Sequence, residues 1–199
     1  MKLLLITVSS EEIKAIRKAR VIGFQQCTMP YLAALTPSNW DIEHVDEEVE
    51  KVDFHKAYDV VAITFHTPCA NHAYNIAARF REKGIVVAMG GPHVTLMPQE
   101  AAKYADVIFV GESEVTWPQF IYDFEKKQYK SKYVCTSPPE LEGIHMSRKD
   151  LFHRKDYSNG IMFATRGCPN KCEFCAISIM YKKNTFLWHF CTSWCSVWF

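Results

Sequence analysis

Apolar residues in the first two thirds of the chain fall in short unbroken runs, each followed by a segment of helical spacing. Lys2–Val8 (KLLLITV), Val60–Phe65 (VVAITF), Ile85–Met89 and Val107–Val110 are runs of this kind. They lack the polar alternation of a half-exposed strand, so they predict strands buried on both faces. Trp40–Asp46 alternates instead and predicts one more strand. Helices are predicted at Glu11–Arg20, Asn71–Arg81, Gln99–Tyr104 and Val115–Phe124, and Pro30–Leu35 (PYLAAL) continues the first crossover. Within Asn71–Arg81, Ala73, Ile76, Ala77 and Phe80 recur on one helical face, and Gly84 stops it. Strands alternating with helices predict an α/β fold: a doubly wound, parallel, five-stranded sheet of the flavodoxin or Rossmann-like kind. Ligands of such sheets bind beyond the carboxyl ends of the strands. The residues that follow each strand are therefore the first candidates: Ser9-Ser10, His66-Thr67-Pro68, Gly90-Gly91-Pro92-His93 and Gly111-Glu112.

Beyond this region the pattern changes. Thr136–Asn159 carries Pro138-Pro139, many charges and little periodicity, which predicts an interdomain linker with a short helix near Asp150. Ile161–Thr165 (IMFAT) predicts a new strand, and the Arg166–Cys175 loop follows it directly. Thr185–Phe199 holds three of the five tryptophans, no acidic, Lys or Arg residue, and no amphipathic period. It reads as an atypical tail, of the kind a frameshift, a retained intron or a truncated gene would leave, with a buried native segment as the alternative. The expected organisation is a ligand-binding sheet domain over 1–135, a linker over 136–160, the start of a second domain over 161–184, and the tail over 185–199.

Charge and composition narrow the function. A formal charge of +1 lacks the basic excess of a nucleic-acid-binding surface. No apolar run approaches the roughly 18 residues of a membrane span. Lys2–Val8 is too short for a signal-peptide core and lacks a small-residue cleavage site, so a cytoplasmic location is expected. Of the eight cysteines, Cys27, Cys69 and Cys135 are scattered, whereas Cys168, Cys172 and Cys175 cluster. In a reducing compartment a cluster points to metal or catalysis rather than to a disulfide framework.

Cys168-x3-Cys172-x2-Cys175 offers three thiolates within eight residues. A four-iron cluster needs soft, deprotonated sulfur around one cube, and three protein ligands leave one iron open to substrate or cofactor. Zinc would need a fourth ligand, from His153, Cys191 or Cys195, and rarely uses the x3 spacing. Unliganded structural cysteines are the remaining reading.

The segment Thr165-Arg166-Gly167-Cys168-Pro169-Asn170-Lys171-Cys172-Glu173-Phe174-Cys175 resembles the signature of the radical SAM family, with Phe174 at its aromatic position. Asp59–Thr67, Ala88–Thr95 with its Gly-Gly-Pro-His, and Gly111-Glu112-Ser113-Glu114 resemble the cobalamin-binding domain that precedes many radical SAM barrels. The resemblance covers roughly residues 1–182. It implies a 4Fe-4S cluster on Cys168, Cys172 and Cys175. It also implies S-adenosylmethionine on the open iron, next to Phe174, and an incomplete radical SAM (β/α) barrel beginning at residue 161. Cobalamin contacts are implied at Thr64, His66, Thr67, Gly90, Gly91, Pro92, His93, Gly111 and Glu112. Thr64 stands 26 positions before Gly90, close to the family's spacing between its strand-end hydroxyl and the glycine pair. The family's Asp-x-His-x-x-Gly loop after the first strand is replaced here by Ser9-Ser10-Glu11-Glu12-Ile13, so no histidine of this loop is expected on cobalt.

The activity implied is generation of a 5′-deoxyadenosyl radical for methyl transfer to an unactivated carbon or phosphorus of a small molecule, or for oxidative cyclisation. The electron donor would be a ferredoxin or flavodoxin. This chain alone would lack most of the barrel. The alternatives are a non-catalytic cobalamin-binding module with a vestigial cysteine loop, and a zinc-binding interaction protein.

Overall fold

The computed structural model describes residues 1–18, 25–136, 147–152, 157, 165–170, 172–181 and 185–187. Six strands form one parallel sheet: β1 (Lys2–Thr7), β2 (Asp41–Asp46), β3 (Val60–Thr64), β4 (Val86–Gly90), β5 (Val107–Val110) and β6 (Lys132–Val134). Their spatial order is β2-β1-β3-β4-β5-β6, with every pairing parallel. The helices are α1 (Glu11–Lys18), α2 (Thr28–Ala34), α3 (Ala70–Arg81), α4 (Pro92–Leu96), α5 (Pro98–Ala101) and α6 (Thr116–Glu125).

The strand runs are apolar because both faces are covered. Leu4, Ile6, Val61, Ile63, Val87 and Met89 point to the face where α3 lays Ala73, Ile76, Ala77 and Phe80. The alternate residues Leu3, Leu5, Val60, Ala62 and Ala88 point to the other face, against Met29 and Leu32 of α2 and Trp117, Phe120 and Ile121 of α6. A pleat with period two thus feeds two separate cores from one run of residues. Trp117 also satisfies its indole, donating Nε1–H to Thr36 Oγ1 at 2.9 Å.

The five expected strands are present, and β6 adds a sixth. It escaped the sequence reading because it is a three-residue edge strand that opens on Lys132, just after Lys130, and carries neither a long apolar run nor alternation. Helix α4 was hidden behind Gly-Gly-Pro; proline at the first helical position fits a helix start as well as a turn. Part of the expected linker is tied to the sheet domain. Arg148 N–H donates to Pro30 O at 3.0 Å, and His44 Nδ1 lies 3.1 Å from Leu151 O. The predicted helix near Asp150 is one 3₁₀ turn, Lys149–Leu151.

Residues 161–164 of the predicted next strand lie outside the described residues. Thr165–Gly167 (β7) is a strand, and Thr185–Leu187 (β8) pairs with it antiparallel. A (β/α) barrel would begin with parallel neighbours. The expected barrel start is therefore not seen among the described residues, and the first three residues of the presumed tail have a partner. Helix α7 (Ala176–Met180) lies between the two strands in sequence. Among the described residues no helix is long and apolar enough to cross a membrane.

Candidate cofactor-binding edge

Parallel register brings the strand ends level. Thr7 of β1 is opposite Thr64 of β3, and Thr64 is opposite Gly90 of β4. The loops leaving β3, β4 and β5 consequently share one edge of the sheet. Gly91 has φ +97, and a Cβ there would meet Thr64 Oγ1 at 2.6 Å and the Phe65 backbone at 3.2 and 3.3 Å. The glycine is needed first because the β4 loop crosses the end of β3 so closely. A bulky residue at 91 would therefore disturb the fold itself, not simply fill a ligand channel. Gly111 has φ +85 and lies against Cys135, while its N–H donates to Thr95 Oγ1 at 3.1 Å.

The two candidate histidines part company. His66 and Thr67 are exposed where β3 ends, as is Pro68. His93 is buried, and its ring packs near Phe65 at 5.4 Å between centroids. Tyr74 donates its hydroxyl to Glu100 Oε1 at 3.0 Å, so it accepts from His93 Nε2–H at 3.0 Å. Thr67 Oγ1 then donates to His93 Nδ1 at 3.1 Å. The Nε2-protonated tautomer satisfies every partner. His93 thus braces the loops from within, and both of its ring nitrogens are engaged by protein.

Beyond β5 the same edge receives the cysteine loop. Arg166 ion-pairs with Glu112 Oε2 at 3.0 Å and with Glu114 Oε1, and Tyr181 donates its hydroxyl to Glu112 Oε1. The Tyr31 ring of α2 lies 5.8 Å from the guanidinium. Side chains of Arg166 and Glu114 are 14% and 9% exposed. Burial raises the Glu112 pKa, and the Glu114 charge adds to this, against the opposing pull of Arg166 and Tyr181. Burial alone would lower the Arg166 pKa, but the two carboxylates reverse that and raise it. Burial, followed by the bond to Glu112, pushes the Tyr181 phenol up. The cluster is a compact charged joint from which a proton is not readily removed. Glu114 Oε2 is buried without a hydrogen-bond partner.

Cys168, Cys172 and Cys175 follow this joint on the turn from β7 into α7, all as free thiols, with Cys172 exposed and the other two half-buried. Cys175 N–H donates to Cys172 O at 3.2 Å. Phe174 between them is 94% exposed. Among the described residues no three His, Cys, Asp or Glu side chains converge closely enough for a single metal ion. A cube of four irons holds its thiolates farther apart than one ion does, so the donor set still suits a cluster.

Residues 29–121 match the B12 binding domain family. That stretch runs from α2 into α6 and includes the Thr64, Gly90-Gly91 and Gly111-Glu112 loops. The sheet domain belongs to the B12-binding family. Three relatives share its sequence beyond the matched stretch. Bacteriochlorophyllide d C-8(2)-methyltransferase of Chlorobaculum tepidum is 36% identical over 72% of this chain and 34% of its own length. Bacteriochlorophyllide d C-12(1)-methyltransferase of the same organism is 33% identical over 77% of this chain and 35% of its own. Hopanoid C-2 methylase of Rhodopseudomonas palustris is 26% identical over 77% and 30% respectively. The chain spans about a third of the length of these relatives.

The B12-binding domain offers a fit to its ligand at the sheet edge. Ser9 Oγ, at the carboxyl end beside β1, is buried without a hydrogen-bond partner, an atom that an incoming polar group would satisfy. The cleft of about 310 Å³ lined by Lys2, Asp41, Glu43, Lys56, Ala57 and Tyr58 is at the opposite, amino end of the strands. Its Lys56–Glu43 pair is closed on itself at 2.6 Å, and ligands of doubly wound sheets bind at the other edge. Arg166, Tyr181 and Tyr31 were absent from the sequence-based candidates, whereas Ser9 stood among the strand-end residues. Arg166 and Glu114 stand inside the quoted motifs, but nothing local says that they meet.

Proposed function

We propose that this chain is the cofactor-binding part of a cobalamin-dependent radical SAM methyltransferase acting on a carbon of a small molecule. One observation carries the reading: the loop with the three clustered thiols is fastened, through Arg166, to the carboxyl edge of a B12-binding sheet. Cys168, Cys172 and Cys175 would hold a four-iron cluster, and Phe174 would stand beside S-adenosylmethionine on its open iron. Thr64, the Gly90-Gly91 turn, His66 and Ser9 would receive the cobalamin. When bound, the cluster supplies an electron and the corrin carries a methyl group; the protein's task is to hold both and keep them apart from solvent. The relatives' names specify carbon positions, which favours methyl transfer to carbon over oxidative cyclisation. Electrons would come from a ferredoxin- or flavodoxin-like donor reaching the exposed side of the cysteine loop.

The test is anaerobic reconstitution followed by metal analysis and absorbance. The expected result is about four irons per chain, lost in Cys172→Ala and retained in Cys27→Ala, together with corrin bands after incubation with cobalamin and desalting. Equal iron in both variants would remove the cluster from the proposal. Corrin bands without iron would favour a non-catalytic cobalamin module. Zinc in place of iron would favour an interaction protein.

A further inference from the structure

We infer that Arg166, Glu112, Glu114 and Tyr181 form a fixed joint that sets the position of the cysteine loop relative to the cobalamin edge, with Arg166 as its positioning residue; the inference rests on the function proposed above. The joint ties together segments far apart in sequence: 52 and 54 residues separate Arg166 from its carboxylates, and 69 separate Tyr181 from Glu112. It grips the loop on both sides of the thiols. Arg166 precedes Cys168 in β7, and Tyr181 follows Cys175 at the end of α7. Both grips converge on the loop after β5, whose Gly111 is itself pinned by Thr95 of α4. The cysteine loop therefore has no path to swing away from the sheet edge without breaking a largely buried ion pair, which is costly because it strands a charge out of water.

The chemistry of the joint suits a fixed distance. A guanidinium is planar and permanently charged, and it presents several donors in a rigid fork; an ammonium would supply the charge without the orientation. Glu112 is the hub, because one oxygen takes Arg166 and the other takes Tyr181. Glu114 uses one oxygen on Arg166 and leaves the other buried and unpartnered. Methyl and electron transfer between two bound groups are both sensitive to small errors of placement. A joint on both flanks of the thiols is what a chain needs if two cofactors carried by different segments are to meet at one distance.

The experiment begins with the full chain without cofactors, by hydrogen exchange. Arg166→Ala should raise exchange about tenfold or more in residues 165–167 and 176–181, while amides of β1 and β3 stay protected and report that the sheet is folded. Arg166→Lys should restore part of the protection. Tyr181→Phe should loosen 176–181 more than 165–167, and Glu114→Gln the reverse. If Arg166→Ala fails to fold, the Lys and Phe variants carry the comparison. The reconstituted chain then gives a second reading: pulsed electron paramagnetic resonance between the reduced cluster and cob(II)alamin. A single narrow distance distribution is expected in the wild type, broadened in Arg166→Ala with iron and cobalamin contents unchanged and narrowed again in Arg166→Lys. Unchanged exchange in Arg166→Ala and Tyr181→Phe, or the same narrow distribution without Arg166, would overturn the inference. A wild type that takes up no iron or no cobalamin would instead overturn the proposed function, while the exchange measurement still decides whether the joint exists.

Discussion

Single side chains at the sheet edge do work that their identity alone does not disclose. Gly91 looks like a glycine that admits a ligand, yet its missing Cβ is required by Thr64 and Phe65 at the end of the neighbouring strand β3. Gly91→Ala should therefore destabilise the domain by about 1–3 kcal/mol from strain alone, and Thr64→Ala in the same chain should recover part of it; urea unfolding checks both. Cys27 is the opposite case, a residue with no candidate role whose burial pushes its thiol up to about 11. Because the fold favours the neutral form, the stability that Cys27 contributes is complete below its ordinary value of 9.0 and is lost as pH rises through about 11. Wild type should thus lose stability between those limits faster than Cys27→Ala, as read from denaturant midpoints at several pH values. The clustered thiols could be picked out by their spacing. The charged joint could not, since neither the spacing nor the type of Glu112, Glu114 and Arg166 records a contact across more than fifty residues.

Elements were legible in proportion to how much of them is buried. The strands β1, β3, β4 and β5 lie inside the sheet, and each announces itself as an apolar run. The edge strand β6 does not, although Tyr133 within it is well used. Its ring stacks on Phe109 at 5.5 Å and its hydroxyl donates to Asp123 at 2.7 Å. Burial, followed by that bond, raises the Tyr133 phenol to about 12. Tyr133→Ala should cost about 3–5 kcal/mol, as for other buried aromatics cut to alanine, and Tyr133→Phe only about 1 kcal/mol. Circular dichroism melts of the two variants would separate the ring from its hydroxyl. The lysines around β6 hide it in the sequence for the same reason that they protect it, since charge on an edge discourages pairing with another sheet.

At the level of the whole molecule, part of the expected linker keeps contact with the sheet. The segment 147–152 returns to the sheet domain, where Arg148 bonds to α2 and Leu151 caps the buried polar group of Gln25 and His44 with its carbonyl. A fragment ending at 152 should therefore unfold at a higher urea concentration than one ending at 135. Both should retain corrin absorbance after cobalamin loading, because the strand-end loops lie within each. Equal midpoints would show that the returning segment adds nothing. The doubly wound α/β class was readable because helical and strand periods alternate from the start of the chain; the docking of the cysteine loop was not, because it depends on where the loop after β5 stands in the folded sheet. That docking also bears on the order in which the protein is made. All six strands of the sheet have left the ribosome by Val134, while Arg166 follows about 30 residues later, a delay of a few seconds at ordinary rates of synthesis. During that interval the nascent sheet can close and its carboxyl edge stands uncovered, so a corrin can be seated before the cysteine loop arrives to fasten itself over β5.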